Sequence, residues 1–195
     1  MIEPTKGDWF QTFTGKAWWP MGPRPEDVDL LDIAHGLAFQ CRFNGHTRQF
    51  YSVADHCIRM AAELHHTDGP EVALAGLLHD AAEAYLGDIV RPVKRQLPAF
   101  YHLERINQTA ILEGLHVSLY VDDHKDRIRE MDLVMLATER RDLMEESPHS
   151  WVNVEKVEPL PVPIKPLSPE LAYSVFVTKF DLLVAELAKA RGVAF

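Results

Sequence analysis

Four side chains that can hold a metal ion fall on apolar helical faces of this sequence: His56, His79, Asp80 and Asp132. His56 lies within the stripe Val53, Cys57, Met60 and Leu64, at the i, i+3, i+4 spacing of an amphipathic helix. His79 and Glu83 interrupt the stripe Val72, Ala75, Gly76 and Leu86, with Asp80 adjacent. Asp132 sits at the centre of a face made by Ile128, Met131, Met135 and Leu136. Burying an ionised carboxylate is costly unless a partner or a metal compensates, and one shared cation would compensate three helices at once. Two imidazole nitrogens and two carboxylate oxygens suit one divalent ion of the Co, Mn, Fe, Ni or Zn kind better than Ca, with Mg also admissible.

Each residue taken singly has an ordinary explanation. A histidine on an apolar face is commonly a hydrogen-bonded core residue, which is also the reading for His35. Asp132 has Arg127 and Arg140 near it in sequence as ion-pair partners, and a His-Asp dipeptide arises easily in a chain with 10 histidines. The coincidence of all four, followed by Glu83 and Asp88, carries the metal reading. Glu83 is one turn beyond His79 on the same side, placed either to handle a proton or to orient a ligand histidine. Asp88 follows Gly87 and is either a site residue or a turn residue. Among the cations Arg42, Arg48, Arg91 and Lys94, Arg42 is the strongest phosphate contact, because a guanidinium matches phosphate bidentately. His46 contacts phosphate or closes a loop on its own backbone.

The elements that must position these residues are helical. Residues 1–27 hold Trp9, Trp18, Trp19 and four prolines without a sustained period, which predicts an irregular arm packed through its aromatics. A helix begins at Val28, and a polar connection spans Cys41 to Phe50. Ser52-x-x-Asp55 reads as a capping box with Asp in the Glu position, opening a helix to about residue 66. Pro70 and Gly87 suit the first turn and the cap of one buried helix over Glu71 to Leu86. Helices are further expected over 98–115 and 125–146. Six prolines between Pro148 and Pro169 forbid helix and predict an extended strap over 147–167, before a last helix over 168–191. The expected fold class is all-α: one domain, with a helical core over 28–146.

Composition bounds the partners. The chain has 195 residues and a formal charge of −9, from 20 Lys plus Arg against 29 Asp plus Glu. Gripping polymeric nucleic acid by phosphate neutralisation is a poor match for that balance, whereas a small phosphorylated substrate needs only a local cluster of cations. Two cysteines outside any CxxC pair exclude a disulfide scaffold. The apolar runs are too short to span a bilayer, and Met1 to Pro4 does not read as a signal peptide, so no membrane partner and a cytoplasmic location are expected.

The segments Tyr51 to His56 (YSVADH), Leu77 to Asp88 (LLHDAAEAYLGD) and Glu130-Met131-Asp132 resemble the HD-domain metal-dependent phosphohydrolases. The pattern HDxxExxxGD followed by Pro92-Val93-Lys94 is most similar to the YfbR-type 5′-deoxynucleotidase branch, as are Thr12 to Gly15, Asp32 to His35 and Cys41 to His46. The resemblance covers about residues 9 to 145. It implies an HD-type helical bundle with His56, His79, Asp80 and Asp132 as ligands of one divalent metal. It further implies Arg42 on the substrate phosphate, Phe43 at the position linked to sugar selectivity (a Trp in the best-known member), Glu83 as catalytic carboxylate and Asp88 near the sugar 3′ region. The implied reaction releases phosphate from nucleoside 5′-monophosphates, chiefly deoxyribonucleotides, by attack of a metal-activated water. The alternatives are a deoxynucleoside triphosphate triphosphohydrolase on the same ligands, or a nucleotide-binding protein without turnover. Related enzymes often dimerise, and the arm and strap offer surfaces for a homodimer.

Overall fold

The computed structural model describes residues 8–118 and 124–192. Residues 1–7 of the expected arm, 119–123 of the expected helical core and 193–195 lie outside the described residues. The architecture is all-α: α1 (Leu30–Phe39), α2 (Val53–Asp68), α3 (Pro70–Leu78), α4 (Glu83–Leu86), α5 (Arg91–Lys94), α6 (Pro98–Gly114), α7 (Lys125–Leu143) and α8 (Pro169–Arg191). No helix among the described residues is long and apolar enough to cross a membrane.

The core centres on α2 and α3, whose facing stripes bury Met60, Leu64, Leu74, Leu77 and Leu78 completely. Every residue of α3 from Val72 to Leu78 is buried, because α2 and α8 pack on it and α7 closes another side. The arm differs from the irregular segment expected. It contains a two-residue antiparallel hairpin, β1 (Phe10–Gln11) with β2 (Ala17–Trp18), in which Phe10 faces Trp18. Strands this short leave no alternation for a periodicity to register. Trp18 is fully buried, stacks on Tyr85 at 3.9 Å and donates from Nε1 to Asn107 Oδ1 at 2.9 Å. The arm is thereby fixed to the segment that carries Glu83.

Helix α2 starts as expected, with Ser52 Oγ accepting from Asp55 N at 3.0 Å. The reciprocal half of the box does not form. The Asp55 carboxylate instead accepts from Arg59 Nε at 2.8 Å and from Leu167 N at 2.8 Å, which ties the strap to α2. Further along, Leu160 N donates to Thr138 Oγ1 at 2.9 Å and Ile164 N to Asp142 Oδ2 at 2.8 Å. The strap is non-helical, as its prolines dictate, and side chains of α2 and α7 satisfy its free backbone groups.

The single helix expected over Glu71 to Leu86 is broken. α3 ends at Leu78, and His79 to Ala82 form a tightened turn before α4. Its hydrogen bonds shorten to i→i−3, from Ala81 N to Leu78 O and from Glu83 N to Asp80 O. The cause is Gln108 of α6. Its amide accepts from Ala82 N at 3.0 Å and donates to Leu78 O at 2.7 Å, occupying the two groups that a continuous helix would join directly. The break falls on the His79-Asp80 dyad.

Candidate metal centre

His56 comes from the first turn of α2, His79 and Asp80 from the tightened turn, and Asp132 from α7. His56 Nε2 is 3.4 Å from His79 Nε2 and 3.4 Å from Asp132 Oδ1, while His79 Nε2 is 3.0 Å from Asp80 Oδ2. Ligand atoms bound at ~2.0–2.2 Å to one ion lie roughly 3.0–3.5 Å apart in octahedral or tetrahedral arrangements, so these spacings match a shared ligand shell.

The other ring nitrogens decide the chemistry. His56 Nδ1 is 2.7 Å from Glu139 Oε1, and His79 Nδ1 donates to Gly76 O at 2.8 Å. Each acceptor holds a proton on Nδ1, which leaves Nε2 as the nitrogen that can be given to a cation. His56, His79 and Asp132 therefore offer ligand atoms that all lie within 4.8 Å of one another, a group that could hold a cation, and Asp80 adjoins it through His79 Nε2. Cys57, His79 and Asp80 form a second group of the right size, but Cys57 Sγ lies 3.9 Å from His79 Nδ1, the nitrogen already engaged with Gly76. Burial also pushes the Cys57 thiol up, which disfavours the thiolate a metal needs.

Glu139 is fully buried and also meets Arg42, at 3.2 Å from Oε2 to Nη2. Burial opposes its charge, but Arg42 and His56 outweigh burial and hold the carboxyl below its usual range. Arg42 lies 3.7 Å from Asp80 Oδ2 through Nη1. Burial works against its charge too, and Glu139, Asp132 and Asp80 together keep it firmly cationic. The short 3-10 turn Arg42–Gly45 that carries it holds Phe43 at φ 55° and Asn44 at φ 51°. Left-handed backbone costs a residue with a side chain ~1–2 kcal/mol, so this turn stores strain beside the site.

Asp80 and Asp132 line a cleft of 540 Å³ whose walls also include Arg42, Phe43, Glu83, Asp88, Lys94 and Trp151. Glu83 is 6% exposed and its Oε2 has no hydrogen-bond partner. Burial, then Asp80 and Asp88, raise its carboxyl well above the ordinary range despite Arg42 and Lys94. Burial raises Asp88 as well. Burial presses Asp80 up, but His79, His56 and Arg42 together overcome it and hold Asp80 well below the carboxylate range. Desolvation works against the charge of His79, but Asp80 and Cys57 together raise it. Lys94 Nζ is 3.6 Å from Glu83 Oε1 and pairs closely with Glu104. The Gln40 amide, with its nitrogen toward Glu83 O, donates to it at 3.0 Å and accepts from Asp88 N at 2.8 Å.

The structure thus brings together His56, His79, Asp80, Asp132, Arg42, Phe43, Glu83, Asp88 and Lys94. It does not bring His46. That residue is exposed and absent from the cleft walls, because the positive-φ residues Phe43, Asn44 and Gly45 turn the chain away before it. His35 is half-buried rather than core, stacked between Phe13 at 3.8 Å and Phe39 at 4.3 Å. Arg127 pairs with Asp68 at 2.9 Å, leaving Asp132 to the histidines. Sequence reasoning missed Glu139, Gln108 and Trp151. Glu139 lies seven residues after Asp132, two turns along the same helix face, but its neighbours Arg140 and Arg141 make it read as surface charge.

No protein-family model matches the chain. It is 35% identical over 180 residues to the uncharacterized protein YfdR of Escherichia coli, an alignment covering 92% of this chain and 97% of that protein. An uncharacterized protein of Rhodobacter capsulatus is 40% identical over 102 residues, covering 49% of this chain and 52% of that protein. The alignment with YfdR runs through nearly all of both proteins, and the chain belongs to the YfdR family.

Proposed function

We propose that the chain is a phosphohydrolase that uses one divalent metal ion to release phosphate from nucleoside 5′-monophosphates. The observation that carries this reading is the pair of facing imidazole Nε2 atoms, 3.4 Å apart, whose Nδ1 atoms are both committed to Glu139 and Gly76. With Asp80 and Asp132 they form a mixed N/O donor set for a borderline ion such as Co, Mn, Fe, Ni or Zn. A divalent ion bound there supplies Lewis-acid polarisation of a phosphoryl oxygen and acidifies water.

The chain's own residues do the rest. Arg42, kept cationic by Glu139 and Asp80, faces the cleft and neutralises the incoming phosphate. Lys94 borders the same cleft and extends the positive field past Glu83. Glu83, carrying a proton more readily than an ordinary carboxyl, moves that proton at Oε2 as the phosphate ester breaks. A cleft of 540 Å³ has the size of small-molecule sites that enclose a nucleotide. The resemblance of HDxxExxxGD to HD phosphohydrolases supports the same reaction class.

The test is metal analysis of the purified protein, followed by phosphate release across deoxyribo- and ribonucleoside mono- and triphosphates with Mn or Co added. Orthophosphate from monophosphates is the expected product. Inorganic triphosphate from dATP would replace this reading with a triphosphohydrolase. Nucleotide binding without turnover under any metal would replace it with a binding protein.

A further inference from the structure

The cleft has two chemically different ends. One is charged, with Arg42, Asp80, Glu83 and Lys94. The other is aromatic and apolar, with Phe43 facing Trp151 of the proline-rich strap. The two rings lie 6.2 Å apart at 46°. Each is held by a cation: the Arg42 guanidinium is 5.4 Å from the Phe43 ring centre, and that of Arg140 is 5.7 Å from the Trp151 ring. Trp151 is braced from below, where its carbonyl accepts from Val154 N at 2.8 Å and Val154 is buried. Phe43 is held in the cleft by its left-handed backbone, φ 55°. Arg42 thus touches the charged end through its guanidinium and the aromatic end through the same group, so the two ends are one residue apart. A phosphomonoester with a planar ring fits both ends at once, whereas an aliphatic or sugar phosphate uses only the charged one.

We propose that Trp151 and Phe43 form a ring-stacking wall that selects nucleobase-bearing phosphomonoesters over ring-free ones, with Trp151 the specificity residue. The proposal rests on the phosphohydrolase reading of the same site and adds the residue that reads the leaving group. Asn153 in the same wall supplies an amide donor and acceptor for a base edge.

The experiment compares Trp151→Ala and Trp151→Phe with the parent protein on thymidine 5′-monophosphate and on ring-free β-glycerol phosphate. Binding of the nucleotide is measured in parallel by titration calorimetry. Loss of one base-stacking ring weakens binding about tenfold or more, so Trp151→Ala raises KM and Kd for the nucleotide by that factor. The kcat/KM for β-glycerol phosphate stays within about twofold, and Trp151→Phe restores most of the nucleotide affinity. An unchanged nucleotide Kd in Trp151→Ala overturns the proposal, as does an equal loss on both esters. If the parent hydrolyses neither ester, the phosphohydrolase reading fails, and the calorimetric comparison still decides the stacking wall.

Discussion

His56 Nδ1 lies 2.7 Å from Glu139 Oε1, and both side chains are fully removed from solvent. The same carboxylate meets Arg42 through its other oxygen. Glu139 therefore sets the tautomer of one proposed metal ligand and the position of the proposed phosphate-binding arginine at once. Glu139→Gln keeps the shape and the acceptor oxygen but removes the charge. Metal affinity, read by competition with a chromogenic chelator, is expected to fall roughly 10–100-fold. Glu139→Ala leaves a buried Arg42 without its partner and is expected to lose about 3–5 kcal/mol in urea unfolding. A Glu139→Gln protein with parental metal affinity would remove Glu139 from the metal centre.

Asp132 is partly exposed, so its side chain can be changed without opening the core. Asp132→Asn is expected to retain the parental melting temperature measured after chelator treatment. Its bound metal, measured by elemental analysis, and its phosphate release should both collapse. Retention of both would break the ligand assignment.

Glu83 gives a signed pH dependence. Its native pKa is raised, so between the ordinary glutamate range and that raised value the folded chain holds a proton that the unfolded chain has released. Stability contributed by this group falls as pH rises through that window. Glu139 has the opposite sign: its native pKa is lowered, and its contribution is lost only as pH falls through the depressed value. Melting temperatures of chelator-treated protein should decline with rising pH more steeply in the parent than in Glu83→Gln. The variant is also expected to lose about 10²–10⁴ in kcat. Parallel melting profiles would refute the shifted carboxyl.

Gln108 holds the break between α3 and α4 open. Gln108→Leu leaves Ala82 N without an acceptor, at a cost of about 1–3 kcal/mol if it stays buried and unpaired, while Leu78 O keeps its bond from Ala81 N. The turn carrying His79 and Asp80 can instead close toward continuous helix. Either outcome is visible as a changed metal affinity together with changed amide exchange at Ala82, and neither would appear if Gln108 were a passive surface residue.

Gly36 lies where α1 meets α4, and a Cβ there would come within 2.8 Å of Ala84 O. Backbone cannot rotate away as a side chain can. Gly36→Ala is expected to lose about 1–3 kcal/mol. Because Ala84 follows Glu83, kcat should fall as well, whereas a purely global destabilisation would leave kcat of the folded fraction intact.

The sequence by itself determined the all-α class, most of the long helices and the donor types. Ser52, Pro70, Pro169 and the i, i+3, i+4 stripes act within one turn of chain, so α2, α7 and α8 were legible to within a few residues, as was the non-helical strap. The polar residues inside those stripes marked His56, His79, Asp80 and Asp132 for the same reason. Only the tertiary structure decided how these residues are held. Glu139 reaches His56 across 83 residues of sequence, and Gln108 enters the α3 ladder from 30 residues away. Trp151 closes on Phe43 through a strap that has no periodicity to read. His46, near Arg42 in sequence, is turned out by three positive-φ residues. Local spacing encodes which face a side chain takes. The partner it meets on that face depends on how distant helices pack, and that packing brings His56, His79 and Asp132 together, with Asp80 beside His79.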